Sequence, residues 1–212
     1  MNSSADAPLL RASGLECVRG GRPLFSGLSF DLARGALLQV RGANGSGKTS
    51  LLRILCGLLP PDAGAISWQG RPIRDLGEEY RGHLLYVGHL NALKDELDPA
   101  ENLRYAARIA GLPATAEETA VALRAFGLDD ARLPCKLLSQ GQKRRAALAR
   151  LKLGRARPLW VLDEPFSALD AQGVTVTRAL IEAHLAAGGV VVFTTHQEVG
   201  FAGRAVQGIE FP

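Results

Sequence analysis

The sequence predicts an α/β protein built on a mostly parallel sheet, and three observations predict it. Apolar, strand-like runs alternate with helical segments along most of the chain. One run, residues 36–40 (Ala-Leu-Leu-Gln-Val), passes straight into the glycine-rich stretch Gly42-Ala43-Asn44-Gly45-Ser46-Gly47, with a helical pattern after it. A second run, Leu159-Trp160-Val161-Leu162, ends in the adjacent carboxylates Asp163 and Glu164.

Taken in order, residues 1–12 read as a flexible terminus and 13–212 as one domain. Gly20-Gly21-Arg22-Pro23 is a loop, and Leu28-Ser29-Phe30-Asp31-Leu32 alternates apolar with polar or small residues, as a strand does. The helix after the glycine loop carries Leu51, Leu52, Leu55, Leu58 and Leu59 and stops at the Gly57 to Pro61 region. Ile66-Ser67-Trp68 is a short strand turning at Gln69-Gly70, and Leu84-Leu85-Tyr86-Val87 is another. From about residue 98 to 155 the chain becomes rich in Ala, Leu and Arg. Helical spacing over 100–110, 115–126 and 141–153 makes this a helical subdomain between sheet strands. After Pro158 the sheet pattern returns, with a helix over 172–187 and a buried strand from Val190.

Composition narrows the class. With 212 residues, 47% hydrophobic and 22% charged, the chain can bury a core and is not disordered. Cys17, Cys56 and Cys135 form no CxxC pair, which argues against structural zinc, a dithiol redox site or a haem attachment site and favours a reducing compartment. No apolar run approaches the ~18–20 residues that span a bilayer. Residues 1–10 carry Asp6 and Pro8 and lack a basic, apolar leader, so the expected place is the cytosol. A net charge of +4 permits an anionic partner without requiring nucleic acid.

The chemistry centres on Gly42-x-x-x-x-Gly47-Lys48-Thr49, the phosphate-loop pattern. Its glycines let successive N–H groups turn inward toward phosphate oxygens, and the helix that follows presents its positive end to the same anion. Ala43, Asn44, Ser46 and Ser50 belong to that cradle. Lys48 reaches the β- and γ-phosphates, and the Thr49 hydroxyl ligates Mg²⁺. The pattern arises by chance in roughly 2% of chains this rich in glycine, but the strand before it and the helix after it are also present. Asp163 suits the Mg²⁺ shell at the strand edge where ligands bind in such sheets. Glu164, next in line, points to the other side by the strand period of two, which frees it to deprotonate an attacking water. Thr194-Thr195-His196 follows a further apolar run, so His196 sits at the same edge as a γ-phosphate sensor. Ser139 and Gln142 have capping-box spacing at the start of a helix whose free N–H groups suit a phosphate.

Over nearly its whole length the sequence resembles the nucleotide-binding subunits of ABC transporters. Residues 42–49 are similar to the Walker A motif, Leu138-Ser139-Gln140-Gly141-Gln142 to the signature with Gln140 for a glycine, and Leu159–Glu164 to Walker B with its catalytic glutamate. Ser167-Ala168-Leu169-Asp170 resembles the D-loop and His196 the switch histidine, all in family order. The resemblance implies an ABC-type P-loop ATPase fold with an antiparallel β subdomain beside the parallel core. It implies ATP and Mg²⁺ as ligands, and an ATP-bound homodimer in which Ser139, Gly141 and Gln142 touch nucleotide on the other copy, with Asp170 nearby.

Two positions depart from the family pattern. His89, in Val87-Gly88-His89, stands where the family places a glutamine after the strand; it can still hydrogen-bond a water or a metal-bound oxygen. The adenine-stacking aromatic falls near Arg19, whose guanidinium plane can stack on a base, with Phe25 as the alternative. Leu24-Phe25-Ser26-Gly27-Leu28-Ser29-Phe30, Val87-Gly88-His89, Asp163-Glu164-Pro165-Phe166 and Thr194-Thr195-His196-Gln197 are similar to the haem-exporter ATPase subunits of cytochrome c biogenesis. That implies integral membrane permease subunits as partners, a translocase activity in haem export or delivery, and a peripheral position on the cytoplasmic face of the bacterial inner membrane.

Between Lys136 and Arg157 lie eight basic residues with no acidic one: Lys136, Lys143, Arg144, Arg145, Arg150, Lys152, Arg155 and Arg157. They read first as a solvated helix face, and secondarily as attraction to phosphates or an anionic membrane. Without interleaved aromatics they do not suggest nucleic acid. A soluble ABC ATPase of another system and a nucleotide-gated scaffold without turnover are the alternatives. Long insertions or a fused second unit would mark the first, and a replaced Lys48 or Glu164 the second; neither is found.

Overall fold

A pair of glycines starts the fold. Gly20 and Gly21 both take positive φ, 57° and 73°, the conformation of the tight hairpin turn whose twist matches its flanking strands. They join β1 (Leu10–Arg19) to β2 (Arg22–Leu32) with Arg19 opposite Arg22. The protein is described by a computed structural model covering residues 7–129, 132–196, 199–201 and 205–211. Residues 1–6 of the expected flexible terminus, and Gln197, lie outside these. From Leu9 onward the chain is already tied in. Leu9 N–H donates to Leu32 O, and Leu9, Leu10 and Ala12 are buried, because β1 is central in its sheet.

The first sheet is antiparallel, in the order β2-β1-β4-β5, with β4 Ala63–Trp68 and β5 Arg71–Pro72. The second has five strands, all parallel, in the order β6-β7-β8-β3-β9. Its strands are β3 (Leu37–Arg41), β6 (Leu84–Val87), β7 (Leu159–Leu162), β8 (Val190–Thr194) and β9 (Val206–Glu210). The edge strand β9, largely exposed and carrying Gly208 at its centre, had no sequence signal.

The strand period of two sorts residues between two cores. Leu38, Val40, Leu159, Val161, Val190 and Val192 face the antiparallel sheet and α1 (Lys48–Leu55). Leu37, Trp160, Leu162, Val191 and Phe193 face the opposite way. That second core is closed by α8 (Ala171–Ala186) and by the helices between β6 and β7. These are α4 (Pro99–Ile109), α5 (Ala116–Arg124), α6 (Gln140–Leu148) and α7 (Arg150–Leu153). The helix expected over 141–153 breaks at Ala149. Two short helices, α2 (Ile73–Leu76) and α3 (Glu78–Gly82), fill the gap before β6. Capping boxes start α4 at Asp98, α5 at Thr115 and α6 at Ser139, each satisfying end N–H groups that a helix cannot pair internally. Among the described residues no helix is long and apolar enough to cross a membrane, and all three cysteines are buried and unpaired.

Candidate nucleotide-hydrolysis site

The C-terminal ends of β3, β7 and β8, and the loop after β6, converge on one cleft of about 440 Å³. Residues 42–47 turn between β3 and α1. Gly42 has φ 147°, and a Cβ there would lie 2.9 Å from both Cβ and O of Phe211, so only glycine fits. Gly47, at φ 110°, opens α1 with no side-chain cap, leaving its first N–H groups to an anion. Asn44, Gly45, Gly47, Thr49 and Ser50 line the cleft. Lys48, only 7% exposed, folds back and donates to Gly42 O at 2.8 Å and Ala43 O at 2.9 Å. Ser46 Oγ is buried and makes no hydrogen bond within the protein. The loop thus holds a cation and unspent donors around an anion-sized turn.

The acidic side is equally ordered. Thr49 Oγ1 donates to Asp163 Oδ2 at 2.9 Å, and Thr194 Oγ1 donates to Asp163 Oδ1 at 2.7 Å. The same Thr194 oxygen accepts the Glu164 N–H at 2.8 Å. Glu164 Oε1 lies 3.2 Å from His196 Nε2. The expectation that Glu164 faces away from Asp163 is corrected: both line the cleft. The strand ends at Leu162, and Glu164 takes φ 51°, so the two-residue alternation no longer applies. His89 also lines this cleft, as do Leu24 and Ser167, which the sequence placed in motifs without giving either a role in the site.

Ser139 caps α6 by accepting Gln142 N–H at 3.2 Å, while Gln142 Oε1 accepts Ser139 N–H at 2.9 Å. Neither they nor Gly141 line the Lys48 cleft. Gly141 instead packs against the segment after β7: a Cβ there would sit 3.0 Å from Ala168 O. Asp170 caps α8 through Gly173 N–H at 2.7 Å and lies 3.6 Å from Arg145.

Two proposed adenine partners are not at the cleft. Arg19 pairs with Asp62 at 3.4 Å, and Phe25 is buried, stacked on Phe211 with centroids 5.2 Å apart. The apolar surface there is Leu24. The solvated basic face is also corrected in part. Arg144 is 4% exposed, and its guanidinium donates to Asp163 O, Glu164 O, Gly88 O and Asn91 Oδ1. Arg150 donates to Asn91 O and Ala92 O. Burial pulls both guanidinium pKa values below the usual arginine range, opposed at Arg144 by Asp163 and Glu164. Tyr86, half-buried below the cleft, is pushed up to about 12, chiefly by burial and then by Asp163. Charge run and spacing alone had no way to reveal that these arginines turn inward.

A parallel sheet with an anion-binding glycine loop after one strand and an acidic pair after another defines a P-loop nucleotide hydrolase. The family model described as ABC transporter matches residues 25–167. The chain is 52% identical to the cytochrome c biogenesis ATP-binding export protein CcmA of Dechloromonas aromatica, over 94% of this chain and 98% of that protein. To the protein of that name in Aromatoleum aromaticum it is 54% identical, over 92% of each. Among solved structures, an ATP-binding subunit of an ABC transporter superposes with a TM-score of 0.77 at 29% identity, covering 89% of this chain and 79% of that one. The chain belongs to the ABC transporter family and, within it, to the cytochrome c biogenesis ATP-binding export proteins. It is an ATP-binding ATPase that works with membrane partners.

Proposed function

We propose that the chain is the ATP-hydrolysing motor of a haem-export or haem-delivery complex of cytochrome c maturation, held on the cytoplasmic face of the inner membrane by permease subunits. The relatives' printed names support the pathway. The observation that carries the chemistry is the cleft in which Lys48, Asp163, Glu164 and His196 meet around the glycine loop.

The loop N–H groups from Gly42 to Ser50 bind the phosphates of ATP, and Lys48 exchanges its two carbonyl partners for phosphate oxygens. A hard divalent cation fits the acidic side, because Thr49 Oγ1 and Asp163 Oδ2 are two oxygen donors 2.9 Å apart. Thr49 and Asp163 would hold Mg²⁺, which neutralises charge on the phosphates when bound. Glu164 takes the proton from the attacking water, and His196, in contact with it, orients that water toward the γ-phosphate. His89 reports the state of the γ-phosphate to the permease through the loop that follows it. Ser139, Gly141 and Gln142 lie off the Lys48 cleft, which supports their acting on nucleotide of a second copy in an ATP-bound homodimer, with Asp170 beside them.

The test is purification of the tagged chain from membranes with its bound subunits, followed by ATPase assay with and without Mg²⁺. Recovery of cytochrome c maturation permeases with Mg²⁺-dependent turnover is expected. A preparation that hydrolyses ATP but recovers the permease of another transporter would overturn the pathway.

A further inference from the structure

Arg144 reaches two segments, the end of β7 and the loop after β6, from one buried point. Nη2 donates to Asp163 O at 2.7 Å and to Glu164 O at 2.8 Å. Nη1 donates to Gly88 O at 3.0 Å and to Asn91 Oδ1 at 3.2 Å. All four acceptors are neutral carbonyl oxygens. A cation taken out of water for neutral hydrogen-bond partners, with the Asp163 and Glu164 charges offsetting only part of the burial, is an unfavourable arrangement that an apolar side chain on the same helix face would avoid. What it supplies is geometry, since a planar guanidinium fixes the relative directions of the groups it bonds.

Those groups matter to one residue above all. Glu164 holds φ 51°, a left-handed backbone that non-glycine residues seldom adopt. Both of its peptide groups are tied: the N–H to Thr194 Oγ1 and the carbonyl to Arg144. With the backbone pinned at both sides, the point and direction from which its side chain leaves the chain are set, and the carboxylate then meets His196 Nε2 at 3.2 Å. Gly88, the second anchor, immediately precedes His89. Arg144 itself rides on α6, the helix capped by Ser139.

We propose that Arg144 is a positioning residue for ATP hydrolysis: its guanidinium holds the backbone that carries the Glu164 side chain and the His89 segment in one fixed geometry and ties both to the helix that Ser139 begins. The proposal rests on the reading of Glu164 as the base. Arg144 makes its hydrogen bonds away from the phosphate loop and Lys48 and does not line the cleft, so ATP binding does not depend on it directly.

The experiment is steady-state ATPase kinetics on the full chain with binding of a fluorescent ATP analogue. Arg144→Lys keeps the charge but loses the fork. It should lower kcat about 10- to 100-fold with KM for ATP within about threefold of wild type. Arg144→Ala should lose as much and recover several-fold in kcat when ethylguanidinium is added. Arg144→Lys in a Glu164→Gln background should add no further loss, because the two act as one unit. Wild-type kcat in Arg144→Lys would overturn the proposal. So would an equal loss of kcat and nucleotide affinity that ethylguanidinium does not restore, the mark of a merely structural arginine. Glu164→Gln measured alone separates the two failures. Wild-type turnover there sinks the base assignment and this proposal together, whereas an inactive Glu164→Gln beside an active Arg144→Lys sinks the positioning role alone.

Discussion

Thr194 holds Asp163: its hydroxyl donates to Asp163 Oδ1 at 2.7 Å across 31 positions of sequence. With both residues no more than 2% exposed, the bond is made in a place water does not reach. The same oxygen receives the Glu164 N–H, so one hydroxyl serves both acidic residues. Thr194→Val keeps the shape and removes the hydroxyl, leaving a buried carboxylate oxygen and a backbone N–H short of a partner. The expected cost is about 1–3 kcal/mol of stability, read as a lower thermal midpoint, together with reduced turnover and retained ATP binding.

Glu164→Gln removes the base and keeps the shape. Turnover should fall by about 10²-fold or more, while ATP binding persists and an ATP-bound dimer accumulates, visible by analytical ultracentrifugation. Lys48→Ala should weaken ATP binding itself. Hydrolysis at the wild-type rate in Glu164→Gln would exclude the assignment.

Gly141 packs closely on Ala168 O: a Cβ there would sit 3.0 Å from that oxygen, so an aspartate crowds the segment after β7 and adds a negative charge at the helix start. Gly141→Asp should therefore abolish signature function. Mixed with Lys48→Ala, it should regain about a quarter of wild-type ATPase, since half of randomly formed dimers carry one intact composite site of two. Activity no greater than the sum of the two separate variants would count against sites shared between copies.

His89 lines the nucleotide cleft and opens the loop that runs to α4. His89→Ala should bind ATP normally but lose stimulation by the membrane partner, and His89→Gln should be tolerated. Partner-stimulated ATPase and haem attachment in cells are the readouts, and wild-type behaviour of His89→Ala in both would reduce His89 to a loop residue.

His184 is stacked on Trp160 with centroids 4.0 Å apart and is 6% exposed. Burial lowers its pKa below the ordinary 6.5. The unfolded chain therefore binds a proton at a higher pH than the folded one does. Stability from this residue is complete above about pH 6.5 and is lost as the pH falls from there through the lower folded value. Urea unfolding from pH 8 to 5 should show this decline, and His184→Phe should flatten it. An unchanged slope in the variant would assign the acid sensitivity elsewhere.

Much of this architecture was legible because it is local. The Gly42 to Thr49 spacing, the Ser139–Gln142 capping box and the alternation that sends Val161 to one core and Trp160 to the other depend on residues a few positions apart. Backbone conformation and strand period suffice to read them from the sequence alone. The position of Glu164 escaped that reasoning, because its left-handed φ is sustained by Thr194 and Arg144, which come from other elements. Arg144 and Arg150 looked like part of a solvated basic face. Only the tertiary structure supplies the carbonyls of Gly88, Asn91, Ala92, Asp163 and Glu164 that replace water around them. Phe25, likewise, is taken up by Phe211 from the far end of the chain, leaving Leu24 to face the cleft. The sequence by itself determined which groups the site contains. Which of them face the nucleotide and which hold the others in place was decided by contacts between distant segments, because a side chain's partner is set by the packing of whole elements rather than by its neighbours along the chain.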